Sequence, residues 1–351
     1  MERALIIAPQ WIGDAVMSQP LIAELAVRGD TLIVAALPWV APVYRAMPQV
    51  RQVLSLPFAH GRLDWSARRE LGASWQRQYD VAYVLPNSIK SALLPWFAEI
   101  PLRVGYHGEG RWGLLNKRLP NPAGRPPMVA FYLALAAQGA SRIDPLAHQA
   151  AQPHLQLVPE RISQACSDAG LTAGGYWAFA PGAEYGPAKC WPAAHYAELA
   201  RRLHAESGLP VALLGSPKEA ALVAEIAAQA PVGACVVLAG KTTLDAAMAL
   251  IAGARGVVSN DSGLMHVAAA FGVPQVAVFG STSPEHTPPL NSRASVIWLK
   301  QELALECSPC FKRVCPLGHT RCLQEVTPER VQTALLSQVG VDVRYAAASG
   351  R

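Results

Sequence analysis

Apolar residues along this chain fall into short unbroken runs, separated by longer stretches in which apolar positions recur every three or four residues. The runs at 4–9 (ALIIAP), 31–37 (TLIVAAL), 52–56 (QVLSL), 80–85 (DVAYVL) and 102–106 (LRVGY) are short and do not alternate strictly. That pattern predicts parallel strands buried on both faces. The stretches at 15–29, 39–47, 63–78, 89–100 and 128–139 carry the helical period. From 143 to 160 the pattern lapses into prolines and polar residues, which predicts a crossing between domains. The alternation then restarts. Strands are predicted at 176–182, 210–215, 235–240, 256–261, 275–280 and 295–299, and helices at 193–208, 218–230, 243–254, 262–272 and 327–340. The expected fold is α/β, with two parallel sheets in two domains, 1–150 and 151–351. In such sheets ligands meet the carboxyl ends of the strands.

Charge sharpens this picture. The net charge is +5, and residues 1–150 hold fifteen Lys and Arg against ten Asp and Glu, while the rest of the chain is balanced. The whole surplus therefore belongs to the first domain, which suits an anionic partner such as a phosphorylated lipid or a membrane surface. Nucleic acid is not expected, because no basic motif is interleaved with aromatic residues. No apolar run reaches the roughly 18–20 residues of a membrane span. The opening MERALIIAP reads as a charged pair and a first strand, not as a signal peptide, so a cytoplasmic protein is expected. Cys307, Cys310, Cys315 and Cys322 cluster near His319. A C-x2-C pair beside a histidine permits zinc. The second pair is C-x6-C, and reduced thiols in a loop are the expected state in the cytoplasm.

Four stretches lie where strands end. In PQWIGDAV (9–16), Gly13 permits a tight turn, and Asp14 is either a helix N-cap or a general base. In PGAEYGPAKCWP (181–192), Lys189 is the only cation of a loop shaped by glycine and proline, suited to phosphate oxygens. Gly182 and Glu184 share that loop. In LLGSPKEAA (213–221), Ser216, Lys218 and Glu219 could meet a ribose or base. In SNDSGLMHVAAAFG (259–272), Ser262 and Gly263 open a helix whose first N–H groups favour an anion, and His266 follows one turn later. Asp261 reads as an N-cap or a partner for sugar hydroxyls, since a carboxylate beside phosphate is repelled. No G-x-G-x-x-G follows the first strand.

Together, WIGDAV, PGAEYGPAKCWP, SNDSGLMHVAAAFGVPQVAVFGSTSPEHTPP and the cysteine-rich tail resemble the ADP-heptose:lipopolysaccharide heptosyltransferases of glycosyltransferase family 9, over nearly the whole chain. The lysine loop and the CSPCFKRVC tail are most similar to type II members. The resemblance implies a GT-B fold of two Rossmann-like domains facing across a cleft, the first for acceptor and the second for ADP-heptose. It implies Asp14 as base, Lys189 as the diphosphate lysine, and Asp261, Ser262, Gly263 and His266 as the donor loop, with Thr242 near the nucleotide. Gly182, Glu184, Ser216 and Glu219 are carried with the donor side. Some relatives have an acidic residue where Pro217 stands here. The implied acceptor is heptosyl-Kdo2-lipid A, whose carboxylates and phosphates give the basic first half a reason. Gly13, Arg62, Arg68, Arg69 and Lys90 are acceptor candidates, with Arg103 and Arg111. No metal or cofactor is implied, and no Asp-x-Asp pair is present. A monomer in peripheral contact with the inner membrane is expected. Heptosyltransferase I chemistry, a nucleotide-sugar 2-epimerase and a non-catalytic nucleotide-sugar binder are the other readings.

Overall fold

The computed structural model describes residues 2–59, 62–137 and 151–348, with side chains to residue 340. It divides into two units, 1–156 and 157–351. The first holds strands β1 (Arg3–Ile7), β2 (Thr31–Ala36), β3 (Val50–Ser55), β4 (Val81–Val84), β5 (Leu102–Tyr106) and β6 (Lys117–Leu119). All pair in parallel, in the order β3-β2-β1-β4-β5-β6. The second holds β7 (Trp177–Ala180), β8 (Val211–Leu213), β9 (Cys235–Val237), β10 (Gly256–Asn260), β11 (Gln275–Phe279) and β12 (Ala294–Trp298), also all parallel, in the order β12-β11-β10-β7-β8-β9. Counted within each unit, the two orders are identical: third, second, first, fourth, fifth, sixth. This is the doubly wound Rossmann order, and both units have it. Strand order reverses between β1 and β4 and again between β7 and β10. The crevices beyond the carboxyl ends of those two pairs are the topological switch points, where such sheets bind ligands.

The unbroken apolar runs become central strands because both faces of each sheet are covered. β4 and β7 are buried at every residue, and β1 at all but its first. Three elements differ from the sequence pattern. The single helix expected over 15–29 is two, Ile12–Met17 and Gln19–Val27. The break falls at Ser18, whose hydroxyl donates to Ala15 O (2.7 Å), with Pro20 opening the second helix. β6 was not expected, because three residues with two charges carry no strand period. The helix Pro159–Asp168 overlaps the segment read as a crossing, and Cys166 is its one fully buried residue, so its apolar stripe is faint. Residues 138–139 of an expected helix and 143–150 of the crossing lie outside the described residues.

No helix of the described residues is long and apolar enough to cross a membrane. In the first unit the helices Trp65–Ser74 and Ile89–Phe97 meet closely at Gly72. A Cβ there would stand 2.5 Å from Phe97 Cβ and 3.0 Å from the Leu94 carbonyl, neither of which is a flexible tip. Gly72→Ala gains about 1 kcal/mol of helix propensity. An approach of 2.5 Å to a neighbouring Cβ costs at the upper end of the usual range, about 3 kcal/mol, which outweighs that gain. The variant should therefore unfold at lower denaturant, with an unchanged slope. A midpoint at or above wild type would contradict this packing.

Candidate active site

At the second switch point, β10 ends on Asn260 and is followed by Asp261, and the two residues have separate tasks. Asn260 is fully buried. Its Nδ2 donates to Pro181 O (2.5 Å), while its Oδ1 accepts from Trp191 N (3.0 Å) and Tyr196 Oη (3.1 Å). One side chain thus pins both ends of the loop that follows β7. Asp261 meets the cation of that loop. Lys189 Nζ donates to Asp261 Oδ2 at 2.6 Å and to Asp261 O at 3.3 Å. Thr282 Oγ1 (2.6 Å) and Thr287 Oγ1 (3.5 Å) also donate to the carboxylate. The lysine side chain is 15% exposed and the aspartate 5%, so the ammonium has one fixed direction and little water. Removing one partner of so buried a pair strands the other charge.

The helix Gly263–Ala270 starts beside this pair. Its N-cap is Ser262, extended at φ −145° and ψ 172°, and no side chain caps the first turn. Asp261 is therefore not an N-cap, one of its two sequence readings. It is the counter-ion of Lys189. The uncapped N–H groups and the positive end of the helix add to the ammonium as an anion site. His266 is buried in the same helix. Burial depresses its pKa to about 4, with Lys189 acting in the same direction and Asp261 opposing. It is neutral at physiological pH and can offer a ligand an N–H, but no charge.

The neighbouring turns are built around Glu219. Its Oε2 accepts from Ser216 N (2.6 Å), and a Cβ at Gly182 would stand 1.7 Å from its Oε1. Gly182 therefore makes room for a carboxylate of the same unit. Glu184 is paired with Lys218 on the surface at 2.6 Å. Thr242 is partly exposed, next to Thr243, the N-cap of the helix Leu244–Ala252. The cysteine-bearing tail braces the lysine loop from behind: Ala188 N donates to Arg313 O (3.0 Å), and Tyr185 Oη to Phe311 O (2.6 Å). Cys307, Cys310, Cys315 and Cys322 are all free thiols. Among the described residues no three His, Cys, Asp or Glu stand together as a metal site.

At the first switch point, Asp14 is the third residue of the helix Ile12–Met17, whose N-cap is Trp11. It is not a cap. Gly13 lies inside that helix with an ordinary φ, so the tight turn expected there is absent. Asp14 Oδ1 accepts from Tyr132 Oη at 3.0 Å. Tyr132 is buried, and burial, followed by the Asp14 charge, holds its phenol well above the ordinary pKa. It stays a proton donor to the carboxylate. Trp11 and Trp39 are exposed at the ends of β1 and β2, and Trp39 Nε1 donates to Gln10 O (3.0 Å).

The basic candidates divide. Arg68 is buried: its guanidinium donates to the Leu63 carbonyl (2.6 Å) and the Lys90 carbonyl (3.3 Å) and lies 3.9 Å over the Phe58 ring. Arg103 is spent on the Leu114 and Ile100 carbonyls, and Arg111 on Pro86 O, Tyr106 O and Asn87 Oδ1. The guanidinium groups of these three donate to carbonyls that hold loops. Arg62 remains exposed, paired with Asp64 at 3.1 Å, Arg69 is exposed, and Lys90 is partly so. Asn260 and Tyr132 were absent from the sequence reading. An asparagine at a strand end is a faint signal for a pinned loop, and nothing marks a tyrosine 118 positions from its carboxylate.

The chain matches the family model described as glycosyltransferase family 9 (heptosyltransferase) over residues 65–321. It is 43% identical to lipopolysaccharide heptosyltransferase 2 of Salmonella typhimurium, covering 97% of this chain and all of that protein. It is 42% identical to lipopolysaccharide heptosyltransferase 2 of Escherichia coli, covering 94% and 96%. Its fold superposes on the solved structure of the E. coli ADP-heptose lps heptosyltransferase II with a TM-score of 0.82 and 38% identity, over 97% of this chain and 99% of that one. With two Rossmann units and a fixed cation at the second switch point, the chain belongs to glycosyltransferase family 9, the heptosyltransferases.

Proposed function

We propose that this enzyme is an inverting heptosyltransferase of type II. It moves L-glycero-D-manno-heptose from ADP-heptose to the first heptose of heptosyl-Kdo2-lipid A. The observation that carries this reading is Lys189, a partly buried ammonium held by Asp261 at the mouth of an uncapped helix. A nucleotide diphosphate fits that arrangement, and the full-length relatives bear the name heptosyltransferase 2. The donor is read onto Lys189, Ser262, Gly263 and His266, with Ser216, Glu219 and Thr242 toward the nucleoside, Gly182 and Glu184 shaping the loop, and Asp261 orienting the lysine. The acceptor is read onto the first unit, with Gly13 beside the base and Arg62, Arg69 and Lys90 toward its anionic groups.

The reaction needs two charge movements. An acceptor hydroxyl attacks the anomeric carbon as the bond from that carbon to the diphosphate oxygen breaks. The proton passes to Asp14, and the electron pair leaves on ADP. Asp14 acts as the base because Tyr132 fixes its carboxylate. Lys189 and the helix N-terminus meet the charge that grows on the diphosphate. No step of this scheme needs a metal ion. Contact of the first unit with the cytoplasmic face of the inner membrane is part of the same reading.

Transfer should depend on the first heptose. With ADP-heptose as donor, heptosyl-Kdo2-lipid A should be extended and Kdo2-lipid A should not. Transfer only to the acceptor lacking heptose would make the enzyme type I, and turnover of donor alone would make it an epimerase.

Asp14→Asn should lower kcat by about 10²–10⁴ with donor affinity kept, as for a lost general base. Tyr132→Phe keeps the ring and removes only the donor to Asp14. It should cost roughly tenfold in kcat/KM. Because a lost donor disfavours the carboxylate, the acid limb of the pH profile should move to higher pH. Tyr44 and Tyr106, the other titratable groups acting on Tyr132, stay protonated over that range and do not mask the shift. An unmoved acid limb in Tyr132→Phe would separate Tyr132 from the base.

A further inference from the structure

The tail after β12 is fixed against both partners of the Lys189–Asp261 pair. Phe311 N donates to Ser281 O (2.7 Å), next to Thr282, which holds the Asp261 carboxylate. Phe311 O accepts from Tyr185 Oη (2.6 Å), and Arg313 O accepts from Ala188 N (3.0 Å), next to Lys189. The approach is close. A Cβ at Gly186 would stand 2.6 Å from Arg313 O, and Gly186 has φ +147°, a conformation left to glycine. The backbone of Arg313 is thus set by the loop that carries the lysine. That brace uses only the Arg313 carbonyl, so the side chain is not spent on it.

The side chain lies over Tyr185. Arg313 Cζ is 5.4 Å from the centre of that ring, and Lys189 Nζ is 5.2 Å from it. Both fall within the roughly 6 Å of a cation–π contact. Laid end to end, the two distances put the charges at most about 11 Å apart. Arg313 is exposed and, among the described residues, has no acid partner. Glu184, the acid beside Tyr185, is taken by Lys218 (2.6 Å). Lys189 is already matched: its pair with Asp261 carries no net charge. The N-terminus of a helix is worth only about half a positive charge. A diphosphate carries more than that, so the pair and the helix together leave an anion under-compensated.

We infer that Arg313 is the second cation of the donor site, the one that gives it a net positive charge. The ring of Tyr185 keeps the guanidinium beside the lysine loop. From there its long stem lets it turn onto the diphosphate, where the planar fork matches phosphate oxygens. The tail therefore does more than brace the loop: it delivers a charge that the two βα connections lack. The inference rests on the proposed reading of Lys189 as the diphosphate lysine, and the test pairs the two residues so that each can fail alone.

The experiment is calorimetric titration of the full chain with ADP and with adenosine, for wild type, Arg313→Gln, Arg313→Lys and Lys189→Ala. Arg313→Gln keeps a polar side chain and the backbone brace and removes the charge. It should raise the ADP Kd by about three- to tenfold, less than Lys189→Ala, because the guanidinium stays in contact with water. Adenosine affinity should match wild type. Arg313→Lys should recover part of the ADP affinity, as a charge without the fork. The ADP Kd of Arg313→Gln should also rise less steeply with salt than that of wild type, which a packing role would not alter. Equal ADP affinity in Arg313→Gln and wild type would overturn the inference. So would an equal loss of ADP and adenosine binding, the mark of a bent loop. If Lys189→Ala weakens ADP and Arg313→Gln does not, this inference alone falls. If neither weakens it, the reading of the donor site falls as well.

Discussion

The second unit is organised around one ion pair. Lys189 and Asp261 lie in different βα connections and meet at 2.6 Å where strand order reverses. A buried carboxylate is costly without partners, and here the ammonium and two threonine hydroxyls supply them. The ammonium in turn gives up most of its freedom. The result is a cation that needs little rearrangement when charge develops nearby. Asn260, the last residue of β10 and the one before Asp261, pins both ends of the loop that carries Lys189. Two consecutive residues therefore set the position of the loop and the direction of its charge. The cysteine-bearing tail backs the loop from its other side.

The two units share a strand order and differ in what stands after their first strand. After β1 comes a helix bearing a carboxylate held by a buried phenol. After β7 comes a loop bearing an ammonium held by a buried carboxylate. The same switch-point geometry thus presents a carboxylate in one unit and an ammonium in the other. The topology provides the crevice, and the side chain in it decides the chemistry.

Much of this was legible in sequence because burial on both faces leaves an unbroken apolar run. The central strands of both sheets announce themselves in this way, whereas the edge strands β3, β9 and β12 are only partly buried. Lys189 was legible because it is the one cation in a loop of glycines and prolines. What escaped was contact between distant residues. Tyr132 supports Asp14 from another helix, and Asn260 looks like any residue at a strand end. Charge was misleading at Arg68, Arg103 and Arg111, which read as surface cations but donate to backbone carbonyls inside the unit. At Gly182 the contact that sequence does not show is internal. The missing Cβ leaves space for Glu219, an internal partner.

The central claim is that the Asp261-held Lys189 ammonium binds the diphosphate of the donor. Calorimetric titration of Lys189→Ala with ADP, and with adenosine as the phosphate-free control, tests it most directly. A lost charge-assisted contact predicts an ADP Kd raised by about tenfold or more. Adenosine binding should match wild type, which also shows that the unit has kept its fold. Equal ADP affinity in wild type and variant would contradict the account.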